Sequence, residues 1–142
     1  MVETNLNRLH ILIAEDDEDD AETIKQTFED HTCFYKVDMV KNGEQLVAFL
    51  KNDKTKLPDL ILTDFNMPLM NGYEALQEIS NNNLFKSIPV FIYSTTINPL
   101  YVTQCKAIGA KDFLVKPFNL NHFDLIPEKI LEILMNTNKS NT

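Results

Sequence analysis

Five short apolar runs, each followed by residues at helical spacing, constrain the fold of this chain more than any other feature. Leu9 to Ala14, Phe34 to Val40, Asp59 to Thr63, Val90 to Tyr93 and Lys111 to Val115 read as strands. On the second strand, alternation places Tyr35, Val37 and Met39 on one face. After the first strand, Ala21, Ile24 and Phe28 form an i, i+3, i+7 stripe on a helix starting near Asp17, with acids in its first turn. Asn42-Gly43 makes a turn, and Leu46, Val47 and Leu50 mark a second helix. Asn71 caps a third, with Ala75, Leu76 and Ile79 inside, and Asn81-Asn82-Asn83 ends it. Asn98-Pro99 opens a fourth with the stripe Tyr101, Val102, Cys105 and Ile108, and Gly109 closes it. A last helix is expected from about Leu120 to Met135, broken or kinked by Pro127. Strand–helix alternation of this kind implies α/β architecture: a parallel sheet with helices on both faces.

With 142 residues, 44% of them hydrophobic, the chain is expected to form one domain with a packed core. That domain spans residues 8–136, with residues 1–7 and 137–142 as flexible tails. No apolar stretch approaches the roughly 20 residues of a membrane helix, and the polar start is not a signal peptide. Cys33 and Cys105 match no metal spacing and read as small core residues. A cytoplasmic protein is expected. The net charge of −8, from 21 acids against 13 bases, disfavours direct nucleic-acid binding.

The ends of the strands carry the chemistry. The first runs into Glu15-Asp16, the third into Asp64 and the fifth into Lys116-Pro117. Open α/β sheets bind their ligands at the carboxyl ends of their strands. Three acids and one lysine thus converge where a divalent cation and a phosphoryl group fit. Two carboxylates about 4 Å apart repel by roughly 4 kcal/mol at an effective dielectric near 20. A shared proton, a cation or Lys116 must compensate. Oxygen ligands alone select a hard metal, for which Mg²⁺ is the natural choice. Glu15 to Asp20 is an unbroken acidic run, yet it is not an EF-hand loop, because Ala21 and Thr27 stand where that loop needs Gly and Glu. Glu18, Asp19 and Asp20 read as solvated charge. Ser94 ends the fourth strand and brings a hydroxyl to the same edge. Proline after Lys116 leaves a cis bond open. His10, His31 and His122 match no partner by spacing and read as structural or surface residues. No Gly-rich phosphate loop follows any strand.

Glu15-Asp16, Asp64 with Asn66-Met67-Pro68 and Gly72, Ser94-Thr95, and Lys116-Pro117-Phe118 stand in an order that resembles the receiver domain of two-component response regulators. The likeness covers about residues 8–136. It implies a doubly wound, flavodoxin-like (βα)5 fold with strand order 2-1-3-4-5. It also implies that Asp64 accepts a phosphoryl group and that Glu15, Asp16, Asp64 and the backbone carbonyl of Asn66 hold Mg²⁺. Lys116 and Ser94 would contact the new phosphoryl oxygens. Ser94 and Phe113 would form the switch, Phe113 turning inward and matching the family's switch aromatic, often Tyr or Phe. Asn66 and Thr96 resemble the positions that tune phosphoryl lifetime. Glu15 stands where many members have Asp.

The implied donor is a histidine kinase or phosphotransfer protein. The implied readout is a downstream protein meeting the face of the fourth helix, fifth strand and fifth helix, with homodimerisation left open. On this reading the chain is a stand-alone receiver and no enzyme beyond its own phosphorylation and dephosphorylation. The alternatives are a receiver-like binding module that ignores phosphate, an aspartyl phosphohydrolase, for which Asn66 lacks the required second acid, and a flavin protein, whose phosphate the acidic first loop would repel.

Overall fold

The computed structural model describes residues 8–140 apart from Thr55. The elements are β1 (Leu9–Ala14), α1 (Glu18–Glu29), β2 (Phe34–Val40), α2 (Gly43–Lys51), β3 (Leu60–Asp64), α3 (Gly72–Ser80), β4 (Val90–Ser94), α4 (Pro99–Ala107), β5 (Asp112–Val115) and α5 (Leu125–Ser140), with a 3₁₀ turn at Leu120–His122. The strands pair in parallel in the order β2-β1-β3-β4-β5. This is the doubly wound order that the alternation and the resemblance predict.

Side-chain alternation divides the core into two layers. Ile11, Ile13, Leu60, Leu62, Phe91 and Tyr93 pack against Ile24 and Phe28 of α1 and Ile126 and Ile130 of α5. Leu12, Ala14, Ile61 and Ile92 face Leu46, Val47 and Leu50 of α2, Leu76 and Ile79 of α3, and Cys105 of α4. Each fully buried Leu, Ile or Phe contributes about 1.5–3 kcal/mol, and this burial anchors the helices on either face.

Three local readings are corrected. On β2 the pairing slips between Leu9 and His10, so Leu9 faces Phe34 while His10 faces Lys36. The slip leaves Tyr35 out of the alternation. Phe34, not Tyr35, joins Val37 and Met39 on the α1 and α5 side. Tyr35 turns outward, with the Arg8 guanidinium 5.7 Å from its ring centre. At the C-terminal end, the expected long helix is a 3₁₀ turn followed by α5. Pro127 lies in the first turn of α5, where backbone N–H groups have no helical acceptor to lose, so it causes no internal break. The backbone of α5 continues to Ser140. Of the expected tails at 1–7 and 137–142, residues 1–7 and 141–142 lie outside the described residues. No described peptide bond is cis, so Lys116–Pro117 is trans.

Caps behave as their residue types dictate. Asp17, Asn42, Asn71 and Asn98 each accept a backbone N–H from the first turn that follows. Asn71 and Glu74 form a reciprocal capping box. Gly109 takes φ +116° just beyond α4, a conformation that disfavours residues with a Cβ.

Gly72 matters for the site. Its N–H donates to the Phe65 carbonyl at 2.9 Å. A Cβ there would lie 2.7 Å from the Asp64 carbonyl oxygen and 3.1 Å from Phe65 Cα. Glycine thus lets α3 begin directly against the end of β3. Gly72→Ala is expected to destabilise the fold by about 1–3 kcal/mol through overpacking. The check is urea unfolding, in which the midpoint falls at constant slope.

Candidate functional site

Parallel pairing lines up the strand ends. Ala14 is opposite Thr63, Asp64 opposite Tyr93, and Ser94 opposite Val115. The next residues along β1 and β5, Glu15 and Lys116, therefore reach the same edge as Asp64. All three are buried, at 1%, 5% and 6% exposure for Glu15, Lys116 and Asp64.

Lys116 Nζ lies 2.8 Å from Glu15 Oε1, 3.1 Å from Asp64 Oδ2 and 3.2 Å from Asp20 Oδ2. It is the compensating charge that the acidic edge requires. Tyr93, on β4, donates its O–H to Glu15 Oε1 at 2.5 Å, and its ring centre is 4.7 Å from Lys116 Nζ. The Asp17 N–H donates to Glu15 Oε2 at 3.1 Å. The Asn66 N–H donates to Asp64 Oδ1 at 3.3 Å, and Ser94 Oγ accepts from the Thr96 N–H at 3.3 Å.

Burial and the neighbouring Glu15 push the Asp64 carboxyl up to about 7. Burial alone would lower the Lys116 ammonium, but the hydrogen bond to Glu15 and the charges of Asp64 and Glu15 outweigh it and raise it overall. Burial raises Asp20, with Lys116 opposing. Tyr93 is raised well above the usual phenol range by burial and by Glu15.

Glu15, Asp16 and Asp64 each offer a carboxylate oxygen, all within 4.8 Å of one another. A compact set of three oxygen donors fits a hard divalent cation. Asp16 is exposed, so one side of the set is open to solvent.

Of the site residues expected from sequence, Glu15, Asp16, Asp64 and Lys116 converge, and Asn66 and Ser94 flank them. Phe113 is already buried in this structure. Its ring is tilted against Phe65 at 5.9 Å, and Phe65 stacks on Tyr101 of α4 at 4.9 Å. Two contributors were missed. Asp20 was read as solvated charge, yet the first turn of α1, capped by Asp17, brings it back over the strand end to Lys116. Tyr93 read as plain strand, although a phenol in a wholly buried run needs a partner for its hydroxyl. Glu18 and Asp19 are exposed, as expected.

Among the histidines, His10 is buried with Nε2 2.7 Å from Asp38, and His31 Nε2 is 2.8 Å from Glu128. Among the described residues no helix is long and apolar enough to cross a membrane.

Comparison with known proteins gives the same picture. Residues 11–126 match the family described as the response regulator receiver domain. The chain is 34% identical over 122 residues to the two-component response regulator ARR3 of Arabidopsis thaliana, covering 80% of this chain and 52% of that one. It thus spans about half the length of that relative. Among solved structures it is similar to the phosphorylated cyanobacterial phytochrome response regulator RcpA, at TM-score 0.83 and 29% identity, covering 92% of this chain and 96% of that one. It is also similar to the Mn(2+)-bound form of response regulator Rcp1, at TM-score 0.78 and 27% identity, covering 87% and 91%. With the family's strand order, and acids and lysine gathered at one sheet edge, this chain belongs to the receiver domains of two-component response regulators.

Proposed function

We propose that the chain accepts a phosphoryl group on Asp64 from a phosphohistidine of a histidine kinase or phosphotransfer protein, and that this reshapes a partner-binding face. The observation that carries the proposal is the buried Lys116 ammonium, held within 3.2 Å of Glu15, Asp64 and Asp20 at the carboxyl ends of the strands. On this reading the receiver domain spans residues 8–136. Glu15, Asp16 and Asp64, with the Asn66 carbonyl, would hold Mg²⁺. When bound, Mg²⁺ neutralises charge on phosphoryl oxygens and orients them for in-line transfer. The solved relatives described as Mn(2+)-bound and as phosphorylated support both parts of the reading.

The chain's own residues do the rest. An Asp64 carboxylate oxygen forms the new P–O bond. The P–N bond of the donor breaks, and its electron pair returns to the imidazole. Lys116, already 3.1 Å from Oδ2, offsets the charge arriving on the acceptor. The Ser94 hydroxyl would leave the Thr96 N–H and donate to a phosphoryl oxygen. Water later cleaves the acyl phosphate, with exposed Asn66 and Thr96 beside its path. The chain acts only on itself and is no enzyme toward other substrates.

Between β5 and α5 lies a groove of about 650 Å³ whose lining includes Phe113, Val115, Leu125 and Ile126. Val115 and Leu125 are also exposed, at 59% and 61%. The α4, β5 and α5 face is therefore the proposed readout surface for a downstream protein or a second copy. Because Phe113 is already inside, the switch is proposed to act through the Phe65, Tyr101 and Phe113 contacts, not by inward rotation of one ring. Moving a population from 1% to 99% active requires a bias of roughly 5.5 kcal/mol.

With Mg²⁺ and acetyl phosphate, intact-mass spectrometry is expected to find one added phosphoryl group, labile to base and hydroxylamine. A chelator added beforehand is expected to suppress it. No labelling with Mg²⁺ present would defeat the proposal. Turnover of a phosphate ester would favour the phosphohydrolase reading instead.

A further inference from the structure

Tyr93 is the one fully buried phenol of the core, and its hydroxyl is spent on Glu15. The strand register places it directly opposite Asp64. Its ring is packed in the α1 and α5 layer, beside the faces of β1 and β3 that carry Ile13 and Leu62. Glu15 needs such an anchor. It has one more rotatable bond than aspartate, and it is 1% exposed. Three donors fix its carboxylate: the Tyr93 O–H at 2.5 Å, Lys116 Nζ at 2.8 Å and the Asp17 N–H at 3.1 Å. They differ in permanence. The Asp17 donor is backbone, and the Tyr93 donor is a rigid ring locked by packing. The Lys116 donor sits on a long side chain shared with Asp64 and Asp20.

We propose that Tyr93 is a positioning residue of the cation site, its hydroxyl fixing the Glu15 carboxylate while Lys116 is free to move. When Lys116 follows the charge onto a phosphorylated Asp64, Glu15 loses one of its three donors. Tyr93 and the Asp17 N–H keep it in place. The Tyr93 ring, 4.7 Å below Lys116 Nζ, also limits how far the ammonium travels. The glutamate and the tyrosine act as one unit: the longer acid reaches inward to a donor that a shorter acid would not meet. This inference rests on the reading of Glu15, Asp16 and Asp64 as the Mg²⁺ site.

Calorimetric titration of the intact chain with Mg²⁺ tests it, using the parent, Tyr93→Phe, Glu15→Asp and the double variant. Tyr93→Phe is expected to weaken Mg²⁺ at least tenfold, as loss of a hydrogen-bond partner to a metal ligand does. In the Glu15→Asp background the same change is expected to cost less than twofold. A second readout needs no metal. Glu15→Gln is expected to shift the near-ultraviolet tyrosine absorbance of the parent and to leave that of Tyr93→Phe unchanged. Parental affinity in Tyr93→Phe, or an equal loss in both backgrounds, overturns the positioning role alone. A parent that binds no Mg²⁺ overturns the cation site and this inference together.

Discussion

Asp64→Asn abolishes stable phosphoryl labelling and, in metal-free buffer above pH 7, gives a more stable protein than the parent. Both outcomes follow from the same burial. The amide has no anionic oxygen to attack phosphorus, so intact mass after acetyl phosphate and Mg²⁺ should equal the untreated mass. Burial and Glu15 raise the parent carboxyl to about 7 in the folded chain, against about 4 when unfolded. The folded state therefore binds this proton more tightly than the unfolded state does. The stability it lends is complete below about pH 4 and is lost as pH rises through 7. Asparagine is neutral throughout. Its advantage should be absent near pH 4, grow between 4 and 7, and level off above, at roughly 4 kcal/mol at most. Urea midpoints across that range are the measurement. A parent and variant that stay parallel from pH 4 to 8 would show that Asp64 carries no such strain. Full labelling of the variant would place the acceptor elsewhere.

Lys116→Met should be the most damaging single change to the resting protein. Methionine fills similar space but leaves Glu15 and Asp64 buried without their counter-charge. Removing one partner of a buried ion pair costs about 3–5 kcal/mol. Part of that loss is recoverable. With the ammonium gone, the acidic set holds protons more tightly, so the deficit should shrink as pH falls below 7. Mg²⁺ should also rescue the variant more than the parent, because acids without their ammonium bind the cation more tightly, and each tenfold gain in affinity adds about 1.4 kcal/mol at saturating metal. Thermal midpoints with and without Mg²⁺, at pH 6 and 8, separate these effects. Equal midpoints for parent and variant in chelator would mean that the lysine contacts are energetically idle.

The sequence made the sheet legible because both of its signals are strong. Ile11, Leu12 and Ile13 point alternately to two layers, and a short run apolar on both faces and closed by charges is the pattern of a central strand. The site was legible wherever a charge abutted such a run, as at Glu15, Asp64 and Lys116. Asp20 was obscured because six acids in a row look alike until the helix turn singles one out. Tyr93 was obscured because its polar atom is a small part of an apolar ring. The slip at Tyr35 left no sequence mark, since a bulge depends on pairing between strands and not on either strand alone. The 3₁₀ turn before α5 was a matter of backbone economy: Pro127 is tolerated if the helix starts late, and it did.

Phe65 gives the molecule a reporter of its own. The residue is bonded to Asp64, and its ring touches Tyr101 on one helix and Phe113 on an edge strand. A backbone shift at the acceptor must therefore slide this ring past its neighbours or drag them along. The chain contains no tryptophan and only four tyrosines. Intrinsic tyrosine emission can thus follow the chemistry without a dye, because one of its fluorophores, Tyr101, stacks on the residue next to the acceptor.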